Sequence, residues 1–164
     1  MPAKIENFTR TLKEGDKAPD FTLPGVERGA QITLSLYEVL KKGKKVVLLW
    51  HPLDWTPVCS KEIPMFNDRL KEFEEAGATI IDASVDTVAS HKAWTENAGV
   101  EYPSISDFWP HGDVAKKYGI FIDDKGISER AIFVIDIDGA INAIRVYPIG
   151  ELPNPDDILP LIKK

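Results

Sequence analysis

The chain has 164 residues, 43% hydrophobic and 28% charged, an ordinary globular composition with length enough for one domain and a proper core. Its formal net charge of −6 argues against nucleic acid or an anionic membrane surface as the main partner, because both recruit clustered cations. No apolar run approaches the roughly 20 residues of a membrane span, and "MPAKIENFTR" lacks the apolar core of a signal peptide.

Taken in chain order, "EGDKAPDFTLPG" is rich in Pro, Gly and Asp and reads as a lead-in with short strand pieces. Lys45 to Trp50 is short, β-branched and leucine-rich without alternation, which suits a strand covered on both faces. Thr56-Pro57 signals a helix start, a hydroxyl cap followed by a proline whose missing N–H costs nothing there. Phe66, Leu70 and Phe73 recur beyond it at helical spacing, and Pro64 predicts a kink or break near Ser60. Ala78 to Val85 is a second buried strand. Val88 to Asn97 reads as a helix with Gly99 past its end, "YPSISD" as a short strand, and Gly112 to Gly119 as a short helix closed by glycine. Ala131 to Ile137 and Ile141 to Val146 are strands joined at Asp138-Gly139, a strong hairpin signal. "NPDDILPLIKK" ends the chain as a short amphipathic helix with Pro155 in its first turn. No repeat, low-complexity segment or linker interrupts residues 1–164, so one domain is expected, an α/β fold with a central mixed sheet flanked by helices. A thioredoxin-like fold is compatible with this pattern, as are several other α/β folds.

The single cysteine, Cys59, stands three residues after the Thr56 cap. First-turn N–H groups, here those of Val58 and Cys59, have no helical partner and carry partial positive charge, so a thiolate is favoured there. Acidity alone gains little. Lowering a cysteine pKa to about 6 raises the thiolate fraction about thirtyfold at neutral pH, while intrinsic nucleophilicity falls about tenfold. A fast reaction therefore needs groups that stabilise the transition state itself. Thr56 offers a hydroxyl, and Pro52 and Pro57 stiffen the loop. No CxxC is present, which rules out a two-thiol cycle within the chain. A lone cysteine is also consistent with a small buried hydrophobe, Thr56 with a plain cap and Pro52 with a turn residue.

"HPLDWTPVCSKE" resembles the peroxiredoxin active-site segment: a proline (Pro52), three residues, a threonine or serine (Thr56), two residues, then the peroxidatic cysteine (Cys59). "GDKAPDFTLPG", "SVDTVASHKAW", "YPSISDFWPHGDVAKKYGIF" and "ERAIFVIDIDGAI" are similar to further segments of that family, in order, from about residue 14 to about residue 147. The pattern resembles the one-cysteine, alkyl-hydroperoxide-reductase E-like group.

The resemblance implies a thioredoxin-like thiol peroxidase, with Cys59 attacking the peroxide, Thr56 hydrogen-bonding it, Pro52 shielding it, and Val58 among the substrate-binding residues. Arg130 would be the active-site arginine, its guanidinium favouring the thiolate and holding the peroxide oxygens. The position five after Cys59, where some relatives carry a second cysteine, is Pro64. An external thiol (thioredoxin, glutaredoxin or a low-molecular-weight thiol) would then reduce the sulfenic acid. A homodimer or larger homo-oligomer, a cytoplasmic location and no cofactor are expected. The alternative is a redox sensor or holdase-type binding protein with Cys59 oxidised stoichiometrically.

His51 stands where many members carry tyrosine, either tuning Cys59, donating to the leaving oxygen, or packing as a ring beside the site. Glu62, one turn past Cys59, would oppose a thiolate unless paired, for which Arg130 is the candidate; an exposed helix glutamate is the other reading. Trp94 matches a family aromatic near the pocket, with core packing as its simplest role. Phe108 and Trp109 are either interface aromatics or core. A metal site from His51, Cys59, His91 and His111 matches no zinc spacing, so none is expected.

Overall fold

The computed structural model describes residues 2–162. In chain order the elements are β1 (Thr22–Glu27), β2 (Ala30–Ser35), α1 (Leu36–Lys41), β3 (Lys45–Trp50), α2 (Pro57–Asp68), α3 (Leu70–Glu75), β4 (Ala78–Ser84), α4 (Val88–Ala98), β5 (Ser104–Ser106), α5 (Asp113–Lys117), β6 (Phe121–Ile122), β7 (Ile127–Ser128), β8 (Arg130–Ile135), β9 (Ile141–Tyr147) and α6 (Pro155–Ile162). The last two lysines of the expected C-terminal helix, Lys163 and Lys164, lie outside the described residues.

Seven strands form one sheet in the order β2-β1-β5-β4-β3-β8-β9. β3, β4 and β5 run parallel, while β8 pairs antiparallel with both β3 and β9, and β1 pairs antiparallel with both β5 and β2. The sheet is therefore mixed, and helices cover both faces. Along β3, Val46, Leu48 and Trp50 enter one core cluster with Leu36, Leu40, Val114 and Ala115 of α1 and α5. Val47 and Leu49 enter the other, with Phe66, Phe73, Trp94 and Ile158 of α2, α3, α4 and α6. The run "KVVLLW" shows no polar alternation because both of its faces are buried.

Three elements were not anticipated from the sequence: β2, helix α1, and the small β6–β7 hairpin. Strand β1 answers to the short strand pieces expected in the lead-in, and it runs on through Pro24-Gly25, a pair that disfavours a central strand. Pro24 is tolerated because β5 pairs with β1 only at Gly25 and Val26, so the missing N–H falls outside that ladder. Gly25 is required by close approach, since a Cβ there would lie 2.3 Å from the Ser104 carbonyl oxygen. The β1–β2 turn places both Arg28 (φ 50°) and Gly29 (φ 81°) in the left-handed region. Asn-Gly would have announced such a turn; Arg-Gly does not.

The expected break near Ser60 is corrected. Helix α2 runs unbroken through Pro64 to Asp68, and the Ser60 N–H donates to the Thr56 carbonyl at 2.9 Å. The loss of one helical donor at Pro64 is absorbed. The chain instead bends at Arg69 (φ −108°, ψ 7°), where α2 gives way to α3 and the Phe66 and Phe73 rings meet at 5.8 Å.

Candidate active site

Strand β3 leaves the sheet at Trp50, and the segment from His51 to Thr56 turns the chain into α2. Trp55 holds φ 70°, unusual for a bulky residue, before Thr56 takes the extended N-cap conformation and Pro57 begins the helix. The expected hydroxyl cap is not made. Thr56 Oγ1 instead donates back to the Leu53 carbonyl at 2.8 Å, closing the loop that contains Pro52. Pro52 is buried and Val58 half-buried.

Cys59 lies in the first turn of α2, 0% exposed, in the same buried cluster as Leu49 and Trp94. Arg130, the first residue of β8, is placed opposite by the strand register, which pairs Trp50 with Ala131 and Arg130 with Tyr147. Its Nη1 donates to Cys59 Sγ at 3.3 Å and to Glu62 Oε1 at 2.5 Å, while Nε donates to the Ile149 carbonyl at 3.0 Å. Three anchors fix the guanidinium in one pose. Burial pushes the Glu62 carboxyl up to about 7, against the pull of Arg130. Burial disfavours the charge on Arg130 too, but Glu62 and Cys59 outweigh it and hold the guanidinium protonated more firmly than usual. The exposed-glutamate reading of Glu62 is thereby replaced: its side chain is fully buried, and Oε2 has no hydrogen-bond partner.

Behind this group lies a polar network that the sequence reading did not assemble. His51 Nδ1 meets Asp82 Oδ1 at 2.5 Å, and His51 Nε2 meets Asp54 Oδ1 at 2.7 Å. Ser104 Oγ donates to Asp82 Oδ2 at 3.0 Å and Ser90 Oγ to Asp54 Oδ2 at 2.9 Å. His91 Nδ1 stands 2.9 Å from Asp54 Oδ2, and its Nε2 lies 3.0 Å from the Ile105 carbonyl oxygen. Asp86 Oδ2 accepts from the Asp54 N–H at 2.9 Å and from Ser84 Oγ at 2.5 Å. The hint available in the sequence was Asp82 itself. A carboxylate inside a strand covered on both faces must find a buried partner.

Trp94 is buried and packs on the His51 ring with centroids 4.9 Å apart. His111 sits elsewhere, its ring nitrogens 3.1 Å and 2.8 Å from the carbonyl oxygens of Phe108 and Gly126, so it is separate from this cluster. His51, Asp54, Asp86 and His91 do offer ligand-type atoms within 4.8 Å of one another. His51 and Asp54 are hydrogen-bonded, whereas His91 Nδ1 makes no hydrogen bond among the described residues despite its approach to Asp54, and we assign no metal to the group. Phe108 and Trp109 are exposed, at 46% and 79%, which removes the core reading for both.

A cysteine in the first turn of the helix that follows a central parallel strand has a guanidinium on its sulfur, and the relatives of the chain give the class, a thiol-dependent peroxidase of thioredoxin-like fold. The chain belongs to the AhpC/TSA family, which it matches over residues 14–144. It is 37% identical over 141 residues to alkyl hydroperoxide reductase E of Mycobacterium tuberculosis, covering 86% of this chain and 90% of that protein. It is also 37% identical over 155 residues to peroxiredoxin 2 of Thermoplasma acidophilum, covering 91% and 74%. Among solved structures, AhpC of Enterococcus faecalis superposes with a TM-score of 0.84 at 25% identity, covering 92% of this chain and 90% of that one. The reduced 2-Cys peroxiredoxin of Plasmodium vivax superposes at 0.83 with 29% identity, covering 91% and 79%. Among the described residues, no helix is long and apolar enough to cross a membrane.

Proposed function

We propose that Cys59 is the peroxidatic nucleophile of this chain, acting on hydrogen peroxide and organic hydroperoxides as a one-cysteine enzyme. The observation that carries this reading is the 3.3 Å contact from Arg130 Nη1 to Cys59 Sγ, made by a guanidinium that Glu62 and Ile149 hold in place. The thiolate attacks one peroxide oxygen in line with the O–O bond. That bond breaks, the sulfur is oxidised to sulfenic acid, and the other oxygen takes a proton and leaves as water or alcohol. Arg130 follows the charge from sulfur to leaving oxygen, Thr56 with the Val58 backbone positions the peroxide, and Pro52 screens it from bulk water. Because Cys59 is fully buried, substrate enters through local opening of the loop around Thr56.

With one cysteine in the chain, the sulfenic acid is reduced by an external thiol. A first thiol displaces water to form a mixed disulfide, and a second releases Cys59. Thioredoxin, glutaredoxin or a low-molecular-weight thiol fits this step. The proposal extends to one domain over residues 1–164, a cytoplasmic location and a homodimer or larger homo-oligomer, with Phe108 and Trp109 as exposed candidates for its interface. The burial of Cys59 also supports a second reading, a redox sensor or holdase oxidised once per chain. Turnover separates the two: the enzyme consumes many equivalents of peroxide when a thiol is supplied, whereas the sensor stops near one.

A further inference from the structure

Both ring nitrogens of His51 face carboxylate oxygens, Asp82 Oδ1 at 2.5 Å and Asp54 Oδ1 at 2.7 Å. A neutral imidazole has one donor and one acceptor, so one of these contacts would set a lone pair against a carboxylate. Each acid also has a donor of its own on its other oxygen. The second oxygen of Asp82 accepts from Ser104, and that of Asp54 accepts from Ser90. Protons on both ring nitrogens satisfy every contact.

We infer that His51 is a positioning residue for peroxide reduction: an imidazolium clamped between Asp54 and Asp82, serving as a second fixed cation behind Cys59, Arg130 and Glu62. The inference rests on the peroxidase reading for its consequence, though not for the protonation state itself. Three further observations agree with it. The ring packs on Trp94 at 4.9 Å, a face that attracts a cation, and Trp94 shares the buried cluster that holds Cys59. Asp86 Oδ2 stands 3.9 Å from His51 Nε2, a third carboxylate within electrostatic reach. The anions win over full burial and hold the ring protonated well above the ordinary histidine range, and Cys59 and Glu62 both interact with its charge. The groups around His51 are thus Asp54, Asp82 and Asp86, the His91 ring at 5.9 Å, Cys59, Glu62 and Trp94.

Arg130, the cation in contact with the sulfur, is already shared with Glu62. The second cation offsets Glu62, whose carboxyl its charge pulls down. The clamp also keeps the charge constant across the working range, as an ordinary histidine would not.

The test uses the full chain labelled with ¹⁵N-histidine. Nuclear magnetic resonance should show both His51 ring nitrogens protonated at neutral pH and remaining so to at least about pH 8, beyond an unclamped imidazole. A single protonated nitrogen at neutral pH overturns the inference, whatever the enzyme does. Kinetically, Asp82→Asn weakens the clamp. The second-order rate of Cys59 oxidation by hydrogen peroxide should then gain a limb that falls as pH rises through neutrality and tracks the His51 resonance; a uniform loss without that limb points to packing alone and overturns the role. His51→Gln leaves Asp54 and Asp82 without their shared cation, so His51→Gln/Asp82→Asn is the companion, with folding followed by circular dichroism. At a pH where His51 is still protonated in Asp82→Asn, oxidation in the double variant should be about tenfold slower than in Asp82→Asn alone, on the scale of one partly screened charge. A folded double variant oxidising at the rate of Asp82→Asn refutes the role. If wild-type Cys59 itself does not oxidise, the peroxidase reading fails instead, while the resonance still decides the state of His51.

Discussion

Replacing Arg130 by methionine keeps most of the side-chain volume and removes the charge that holds two anions. Sulfur loses a donor at 3.3 Å, Glu62 loses its ion pair, and the Ile149 carbonyl loses a donor at 3.0 Å. A unit charge at the sulfur distance is worth about 5 kcal/mol at an effective dielectric of about 20. The guanidinium is shared with Glu62, which divides that gain, so about 2–3 kcal/mol of selective stabilisation remains for the reacting sulfur. The second-order rate of Cys59 oxidation should therefore fall by about 30- to 150-fold. Breaking a buried pair by removing one partner costs about 3–5 kcal/mol when the other charge is stranded. Glu62 limits this cost by taking up a proton, since burial already places its carboxyl at about 7. Arg130→Met/Glu62→Gln should recover stability without recovering rate. Stopped-flow tryptophan fluorescence during oxidation gives the rate, and urea titration gives the stability. A rate within threefold of wild type in the folded single variant would refute the reasoning.

Thr56→Val deletes the 2.8 Å bond to Leu53, which should cost about 1 kcal/mol of stability by thermal melting and reduce the oxidation rate by about tenfold or more. Glu62 provides a pH signature. Its folded-state value of about 7 lies above the ordinary 4.5, so its contribution to stability is fully present below about pH 4.5 and is lost as pH rises through about 7, up to about 3 kcal/mol in all. Glu62→Gln should flatten the urea midpoint between about pH 5 and 8, and an unchanged slope would contradict the buried carboxyl. Gly25→Ala drives a Cβ to 2.3 Å from the Ser104 carbonyl oxygen and should cost about 1–3 kcal/mol by urea unfolding, with the β1–β5 pairing disturbed first in hydrogen exchange.

What the sequence exposed and what it concealed follow from the range of the interactions. β3, β4 and the β8–β9 hairpin were legible because their signals are local: a bare apolar run, another like it, and Asp-Gly between two strands. β1 was legible only as a short strand piece, because its proline is harmless only given where β5 begins to pair. The Arg130–Glu62 pairing could be anticipated, since a glutamate one turn from a thiolate needs a cation. The His51 clamp could not, because Asp82 lies 31 residues away and meets the ring only through the parallel register of β3 and β4, which pairs Leu49 with Asp82. The complete burial of Cys59 was one of the readings open to a lone cysteine, and nothing local in the sequence chose it.

The measurement that tests the account most directly is mass spectrometry of the intact chain after one equivalent of hydrogen peroxide, before and after a thiol is added, alongside Cys59→Ser. The account predicts one oxygen added at Cys59, removal of that oxygen by thiol, sustained peroxide consumption on repetition, and none of these in the variant. Peroxide consumption at the wild-type rate by Cys59→Ser, or a wild-type Cys59 left unmodified while the chain is folded, would contradict it.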